Sequence, residues 1–380
     1  MGNSPKARLN PLPMPGNPWH QSGMTQDILI IGGGIAGLSL AARLAPHASV
    51  TLLEAEDALA YHASGRSAAL YEQNYGAPAV LGLARASAQF YLEETDYLSP
   101  RGLMLLGKAG AEEAFERERK KWGQDLLTPD EARQILPFIA GDVTQVGYHA
   151  EAWDIDTDRM MQDHAKELRA HGGTVALKSR VSGIEKADGL WRVTCGDTVF
   201  EAKILVNAAG AWVDEVAALA GITPLGFTPL RRSMARIPAP DGVDPSSWPM
   251  VFGAGDPWYM KPDAGALIVS PEEEDPAEPH DAWADDMVLA EGLARFDAHL
   301  DIEVTRLLSN WAGLRTFSPD RVLTIGASPE DPTFFWQAGQ GGYGFITAPA
   351  ASQLGADLIL GRAPALDPAL VTALSPERFA

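Results

Sequence analysis

The sequence predicts a chain of the α/β class with an α+β second domain. Three observations predict it. An apolar run at residues 28–31 meets a glycine turn and then a small-residue helix start. A second apolar run at 50–53 ends in the carboxylate of Glu54. Far downstream, residues 334–344 repeat the pattern of a strand feeding a glycine-rich turn. Strand, helix and parallel strand in that order make the unit from which doubly wound sheets are built.

The first turn carries Gly32, Gly34 and Gly37 in G-x-G-x-x-G spacing. The first glycine permits the tight turn, the second lets backbone approach a pyrophosphate, and the third lets helix pack against strand. A helix N-terminus there presents amide donors and partial positive charge. Glu54, about 20 residues on, suits a ribose hydroxyl. These residues predict a dinucleotide without saying which one.

The remaining elements follow in order. Residues 1–24 hold Pro11, Pro13, Pro15 and Pro18 and no central apolar stretch. They read as a disordered extension and not a secretory leader, with Met24 as an alternative start. Residues 61–70 are polar and small. A helix is expected over 78–97 and a strand over 102–106. The charged run at 110–123 reads as a helix with a solvated face. Thr128 and Pro129 open another helix as N-cap and first-turn proline. Asp156 and Thr157 cap a helix that runs to about residue 170 and stops at Gly172-Gly173. Strands are expected at 174–177, 181–186, 190–195 and 198–202. Residues 204–212 form a buried strand entering a small-residue turn, a second close approach of backbone to the ligand. Residues 226–317 are strand-rich, with one helix near 284–298. The last helix runs through Leu360 and ends at Gly361.

The dinucleotide-binding pieces are therefore split. They occupy 25–75, 147–225 and 318–380, and the second domain takes 76–146 and 226–317. Composition narrows the partners. The chain of 380 residues has 30 Lys and Arg against 50 Asp and Glu, a net charge of -20, which repels nucleic acid and anionic lipid. A single cysteine, Cys195, allows no intramolecular disulfide and fits a reducing compartment, so a cytoplasmic location is expected, with peripheral attachment to the inner membrane left open. Gly32-Gly33-Gly34 and Arg43 interrupt the apolar stretch at 28–45 and argue against a membrane span. The histidines are scattered, and no metal-ligand spacing occurs. Two distant glycine turns favour FAD over a nicotinamide cofactor, because its long arm and ring need a second helix N-terminus.

The segments IIGGGIAG, YHASGRSAA, LVNAAGAW, WYMKPDAG, WAGLRTF and FFWQAGQGGYG together resemble the FAD-dependent D-amino-acid oxidase and glycine oxidase superfamily. Within it the chain is most similar to bacterial D-amino-acid dehydrogenases that act on D-arginine. The resemblance implies a Rossmann-like FAD-binding domain with a discontinuous, strand-rich substrate domain. It implies oxidation of a D-amino acid by hydride transfer from Cα to flavin N5, then hydrolysis of the imino acid to a 2-oxo acid and ammonia. It assigns substrate contacts to Tyr75, Arg232, Tyr259 and Arg315, and the substrate amine to the Gly342 carbonyl. Two arginines suit bidentate carboxylate recognition. It assigns the cofactor to Gly32, Gly34, Ala36, Gly37, Glu54 and Ala55; to Ala63, Ser64, Gly65, Arg66, Ser67, Ala68, Ala69 and Leu70; to Val181; and to Gly341, Gly342, Tyr343, Gly344, Phe345 and Ile346. No cysteine lies near these segments, so the FAD is expected to be non-covalent. His62 is expected to pack and hydrogen-bond.

The chain also departs from that pattern. Leu103 stands where the arginine-acting relatives place a Glu. Phe252 and Ile346 replace a smaller apolar residue and a Gln, and Leu70 replaces a His. With Met250 these residues imply an apolar side-chain pocket for neutral, hydrophobic D-amino acids, since Leu cannot compensate a buried cation. An acid from elsewhere, such as Glu72, is the alternative. A glycine- or sarcosine-type amine oxidase and a non-catalytic flavoprotein subunit are the competing readings. The electron acceptor stays open between a quinone, another carrier and O2.

Overall fold

The computed structural model describes residues 25–380, so the expected extension at 1–24 and the alternative start at Met24 lie outside the described residues. The first sheet has at its heart the strand Gln26–Ile31, whose four inner residues are buried. It pairs in parallel with Val50–Leu53 on one side and with Thr198–Asn207 on the other. Thr174–Ala176 extends the sheet beyond Val50–Leu53, and Phe334–Ala338 extends it beyond Thr198–Asn207, both in parallel. Strands buried on both faces read as continuous apolar runs, which is why Leu29, Ile30 and Leu52 are fully covered. One long strand, Thr198–Asn207, replaces the two expected over 198–212. Its first half also pairs with the hairpin strand Leu190–Cys195.

A second sheet of nine strands is built mainly from later sequence. Its longest member, Thr228–Pro238, pairs through residues 228–236 with the whole of Ser309–Phe317. Tyr259–Asp263 and Met250–Gly253 lie further across, and Leu103–Lys108 joins in parallel to the latter. The boundary expected between residues 146 and 147 falls inside Val143–His149, which pairs in this second sheet. A small third sheet joins Leu70–Tyr71, Trp153–Ile155 and Leu98–Pro100. Among the described residues no helix is long and apolar enough to cross a membrane.

The helix expected over 78–97 is two elements, Pro78–Ala86 and a single wider turn at Phe90–Glu94. The reason lies in a distant helix. Gly344–Ile359 contains Pro349, which has no amide to donate to the Phe345 carbonyl. The Tyr91 hydroxyl donates to that carbonyl at 2.6 Å. The next amide, Ala350, finds the Ser87 hydroxyl at 3.2 Å. Sequence periodicity over 78–97 cannot show that these residues are shaped to repair a proline break.

Candidate active site

The first glycine turn is built as expected. Gly32 has φ +113°, and a Cβ there would stand 2.2 Å from the Ala208 carbonyl oxygen. A Cβ on Gly37 would stand 2.1 Å from the Gly32 carbonyl oxygen. Gly37 therefore sets the approach of helix Ile35–Leu44 to its strand and does not line the cavity. The Ile35 amide donates to Ser64 Oγ at 3.0 Å. The Gly34 and Ala36 amides meet no acceptor among the described residues, which leaves donors aimed at an anion. Glu54 is buried, and accepts from the Gly33 amide at 2.8 Å and from the Glu56 amide at 2.9 Å. Those two bonds orient both carboxylate oxygens and leave lone pairs for hydroxyl donors.

A long cavity starts at this cradle. Its walls include Gly32, Gly34, Ala36, Glu54, Ala55, Ala63, Ser64, Arg66, Val181 and Gly341. The small-residue turn after Thr198–Asn207 adds Ala208, Ala209 and Gly210, as expected from the sequence. Thr316 lies in the same wall with its buried hydroxyl unpartnered. Buried polar groups are normally satisfied, so this orphan favours a polar ligand. A glycine cradle that a Cβ would fill, free helix amides and an orphaned hydroxyl all fit a dinucleotide.

The cavity continues into a second chamber through the shared walls Ile35, Ala63, Ser64, Gln340 and Gly341. Here lie Ser67, Ala68, Ala69, Leu70, Tyr75, Leu103, Arg232, Met250, Phe252, Tyr259, Arg315, Gly342, Gly344, Phe345 and Ile346. The structure thus brings every expected catalytic and pocket residue to one chamber, from well-separated stretches of chain. Three expected cofactor residues do not face the cavity. They are Gly37; Gly65, where a Cβ would meet the Ala60 carbonyl at 2.3 Å; and Tyr343. Tyr343 instead packs edge-on against Tyr75, with ring centroids 5.2 Å apart, at the start of helix Gly344–Ile359. The Arg66 guanidinium is turned to Asp281 and the Ala282 and Ala312 carbonyls, so its backbone and stem form the wall.

Arg315 donates to the Tyr75 hydroxyl at 3.0 Å. Burial opposes its charge, but Tyr75, Tyr259 and Glu274 outweigh that and hold its pKa above the ordinary arginine value. Arg232 is buried and donates through Nε to the Glu273 carbonyl at 2.9 Å. Its two terminal nitrogens stand 3.8 Å from Glu272 and 3.6 Å from Glu274, and Arg315 stands 3.7 Å from Glu274. These are ion-pair distances outside hydrogen-bond range, so both guanidinium groups keep donors for a carboxylate. Gly342 has a reason the sequence did not suggest. A Cβ there would lie 1.9 Å from Arg315 Nη2, so glycine is what lets the guanidinium reach its place. Burial raises the Tyr259 pKa, and its ring closes the chamber beside Phe252, with centroids 5.6 Å apart.

Residues absent from the sequence reading complete the chamber: Trp122, Met234, Glu272 and Gln340. Trp122 belongs to Glu112–Trp122, the charged helix read as a solvated face. Its buried edge, Phe115 and Trp122, has the helical spacing i, i+7, the one signal in the sequence that points to it. Glu72 lines the chamber, but its carboxylate lies 3.0 Å from His149 Nε2 and accepts from the Asn74 amide at 2.8 Å. His62 packs on Trp212 at 4.8 Å and lies 3.1 Å from Glu56. No group of three or more His, Cys, Asp or Glu side chains among the described residues is arranged to hold a metal ion.

Comparison with known proteins matches the chain to the family described as FAD dependent oxidoreductase, over residues 27–358. It is similar to glycine oxidase from Pseudomonas putida, 26% identical over 91% of this chain and 98% of that one. It superposes on L-proline dehydrogenase from P. horikoshii with a TM-score of 0.79 at 24% identity, covering 93% of this chain and 98% of that one. It superposes on L-α-glycerophosphate oxidase from Mycoplasma pneumoniae, solved with FAD bound, with a TM-score of 0.81 at 18% identity, covering 91% and 97%. The two structural likenesses establish the fold.

Proposed function

We propose, from the premise that the chain belongs to the FAD-dependent oxidoreductase family, that it oxidises the amine of a neutral, apolar D-amino acid. The product imino acid hydrolyses to a 2-oxo acid and ammonia. The observation that carries this reading is the meeting of Arg232, Arg315, Tyr75 and Tyr259 in one chamber whose walls also include Leu70, Leu103, Trp122, Met250, Phe252 and Ile346. FAD, when bound, supplies the two-electron acceptor and is held without a covalent link.

The residues divide the work. Arg232 and Arg315 take the substrate carboxylate through donors that no protein acceptor uses. The Tyr75 hydroxyl, fixed by Arg315, orients that grip. Tyr259 and Phe252 exclude water from the reacting carbon. Leu103 and Ile346 receive an uncharged side chain, for neither offers a partner to a buried cation. The chiral preference comes from the resemblance to D-amino-acid enzymes. Similarity to glycine oxidase keeps glycine and N-methyl glycine as a second reading.

An anaerobic screen tests the proposal. Purified yellow protein is mixed with D- and L-amino acids, glycine and N-methyl glycine, and loss of the flavin absorbance is followed. Neutral D-amino acids should bleach fastest. D-arginine or D-lysine as the best substrate would overturn the apolar pocket, and glycine as the best would establish the second reading. A protein that nothing bleaches would be the non-catalytic subunit. A peroxide assay in air then tells an oxidase from a dehydrogenase.

A further inference from the structure

The segment after strand Ala266–Ser270 runs Pro271, Glu272, Glu273, Glu274, Asp275 across the mouth of the arginine pair. Three consecutive glutamates beside two substrate arginines have three different fates. Glu274 spends its carboxylate on Arg321, with both oxygens 2.9 Å from Nη2. Glu273 turns its carboxylate to the Ser233 amide, and its carbonyl accepts from Arg232. Glu272 alone of the three lines the chamber, and its carboxylate accepts no hydrogen bond among the described residues. Its nearest cation is Arg232, 3.8 Å away.

The backbone holds Glu272 there against its own preference. It has φ +60°, left-handed for a residue with a Cβ. The segment around it is fixed. Arg295 donates to the Pro271 carbonyl at 3.1 Å, and Pro271 packs so closely on helix Asp286–His299 that a Cβ on Gly292 would stand 2.5 Å from it. The Glu272 amide donates to Ser270 Oγ at 3.2 Å. A strained conformation that the surroundings over-determine is the signature of a placed side chain. The charges around it are Arg232, Arg315, Glu274 and, from helix Glu112–Trp122, Glu118.

We propose that Glu272 is a further group, beside the Gly342 carbonyl, that receives the substrate's ammonium and thereby selects amino acids over hydroxy acids and plain carboxylates. This rests on the carboxylate grip of Arg232 and Arg315. An α-ammonium sits two bonds from the carboxylate carbon. A carboxylate seated on Arg232 therefore brings the ammonium to the acid standing beside that arginine. The bond gives a donor to a carboxylate that no described protein group serves. Neutral and cationic amino acids share the ammonium, so Glu272 sets the class of substrate while Leu103 and Ile346 set its side chain.

The test uses the FAD-loaded protein, wild type, Glu272→Gln and Glu272→Ala. Flavin absorbance reports binding of the best amino acid in the reductive half-reaction, and of its des-amino and 2-hydroxy counterparts as spectral perturbations. Retained flavin shows that a variant is folded. In both variants the amino acid should lose about tenfold or more in apparent affinity, while the des-amino acid binds unchanged or more tightly. Affinities that fall in parallel for all three ligands, or that do not change, would overturn the proposal. If wild-type flavin is reduced by no amino acid, the functional reading fails first, before any variant is made.

Discussion

The cradle and the chamber are two ends of one cavity, made of different materials. The cradle is backbone: Gly32, Gly34, the amides of Gly34 and Ala36, and the turn at Ala208. Its parts lie within a few residues of one another on two strands that touch. The chamber is side chains: Arg232, Arg315, Tyr75, Tyr259, Trp122 and Glu272, from segments that meet only in the folded protein. The backbone site tolerates no added atom at Gly32 or Gly37, where a Cβ would meet a carbonyl oxygen, whereas a side-chain site loses one contact at a time. The two ends should therefore fail differently.

Gly32→Ala should have the largest effect. The new methyl meets the Ala208 carbonyl at 2.2 Å with φ at +113°, and neither can yield cheaply. We expect about 3–5 kcal/mol of destabilisation and loss of bound FAD, read by thermal melting and flavin content. A yellow variant of near-normal stability would break the contrast. Arg315→Ala should keep FAD and stability yet lower kcat/KM by about 100- to 1000-fold, the loss of charged hydrogen bonds to a carboxylate. Unchanged steady-state kinetics with flavin bound would remove Arg315 from the grip.

Gly342→Ala sharpens the comparison, because it is a glycine in the side-chain end. Its methyl meets the far end of Arg315 and not backbone, so the guanidinium swings aside. The fold should survive, with kcat/KM reduced about tenfold. A collapse like that of Gly32→Ala would make the chamber as rigid as the cradle.

Tyr91→Phe tests the support behind both. The Phe345 carbonyl loses the hydroxyl that stands in for the amide Pro349 lacks, so about 1–3 kcal/mol of stability should go, measured by denaturant unfolding. The smallest effect concerns pH. Burial, with help from Arg43, lowers the His164 pKa from 6.5 to about 4. A depressed folded pKa means that protonation favours the unfolded chain. Stability from this site is whole above pH 6.5 and is lost as pH falls towards 4. His164→Asn should flatten that acid slope by on the order of 1 kcal/mol, in melting curves recorded across the window.

Much of the cradle is legible in the residues alone, including Gly32, Glu54 and the second glycine turn. The chamber's arginines and tyrosines are legible only through the family resemblance, since nothing local marks an arginine as a ligand. Trp122 hides inside a run of charges that is solvated on one face and buried on the other. Glu272 hides in an acidic run whose members look alike until the loop turns one of them inward. The break at 86–90 is invisible in its own segment because its cause, Pro349, lies in another helix.

By itself the sequence determined the doubly wound core and the place where a dinucleotide lies. Glycine spacing and buried apolar runs act through the backbone over short stretches of chain, so they need no distant partner to be read. Tertiary structure alone decided which arginine donors stay free, why residue 342 must be glycine, and which of three glutamates lines the chamber. Those facts depend on where side chains from remote segments end up, and on the left-handed turn at Glu272 that neighbouring packing imposes.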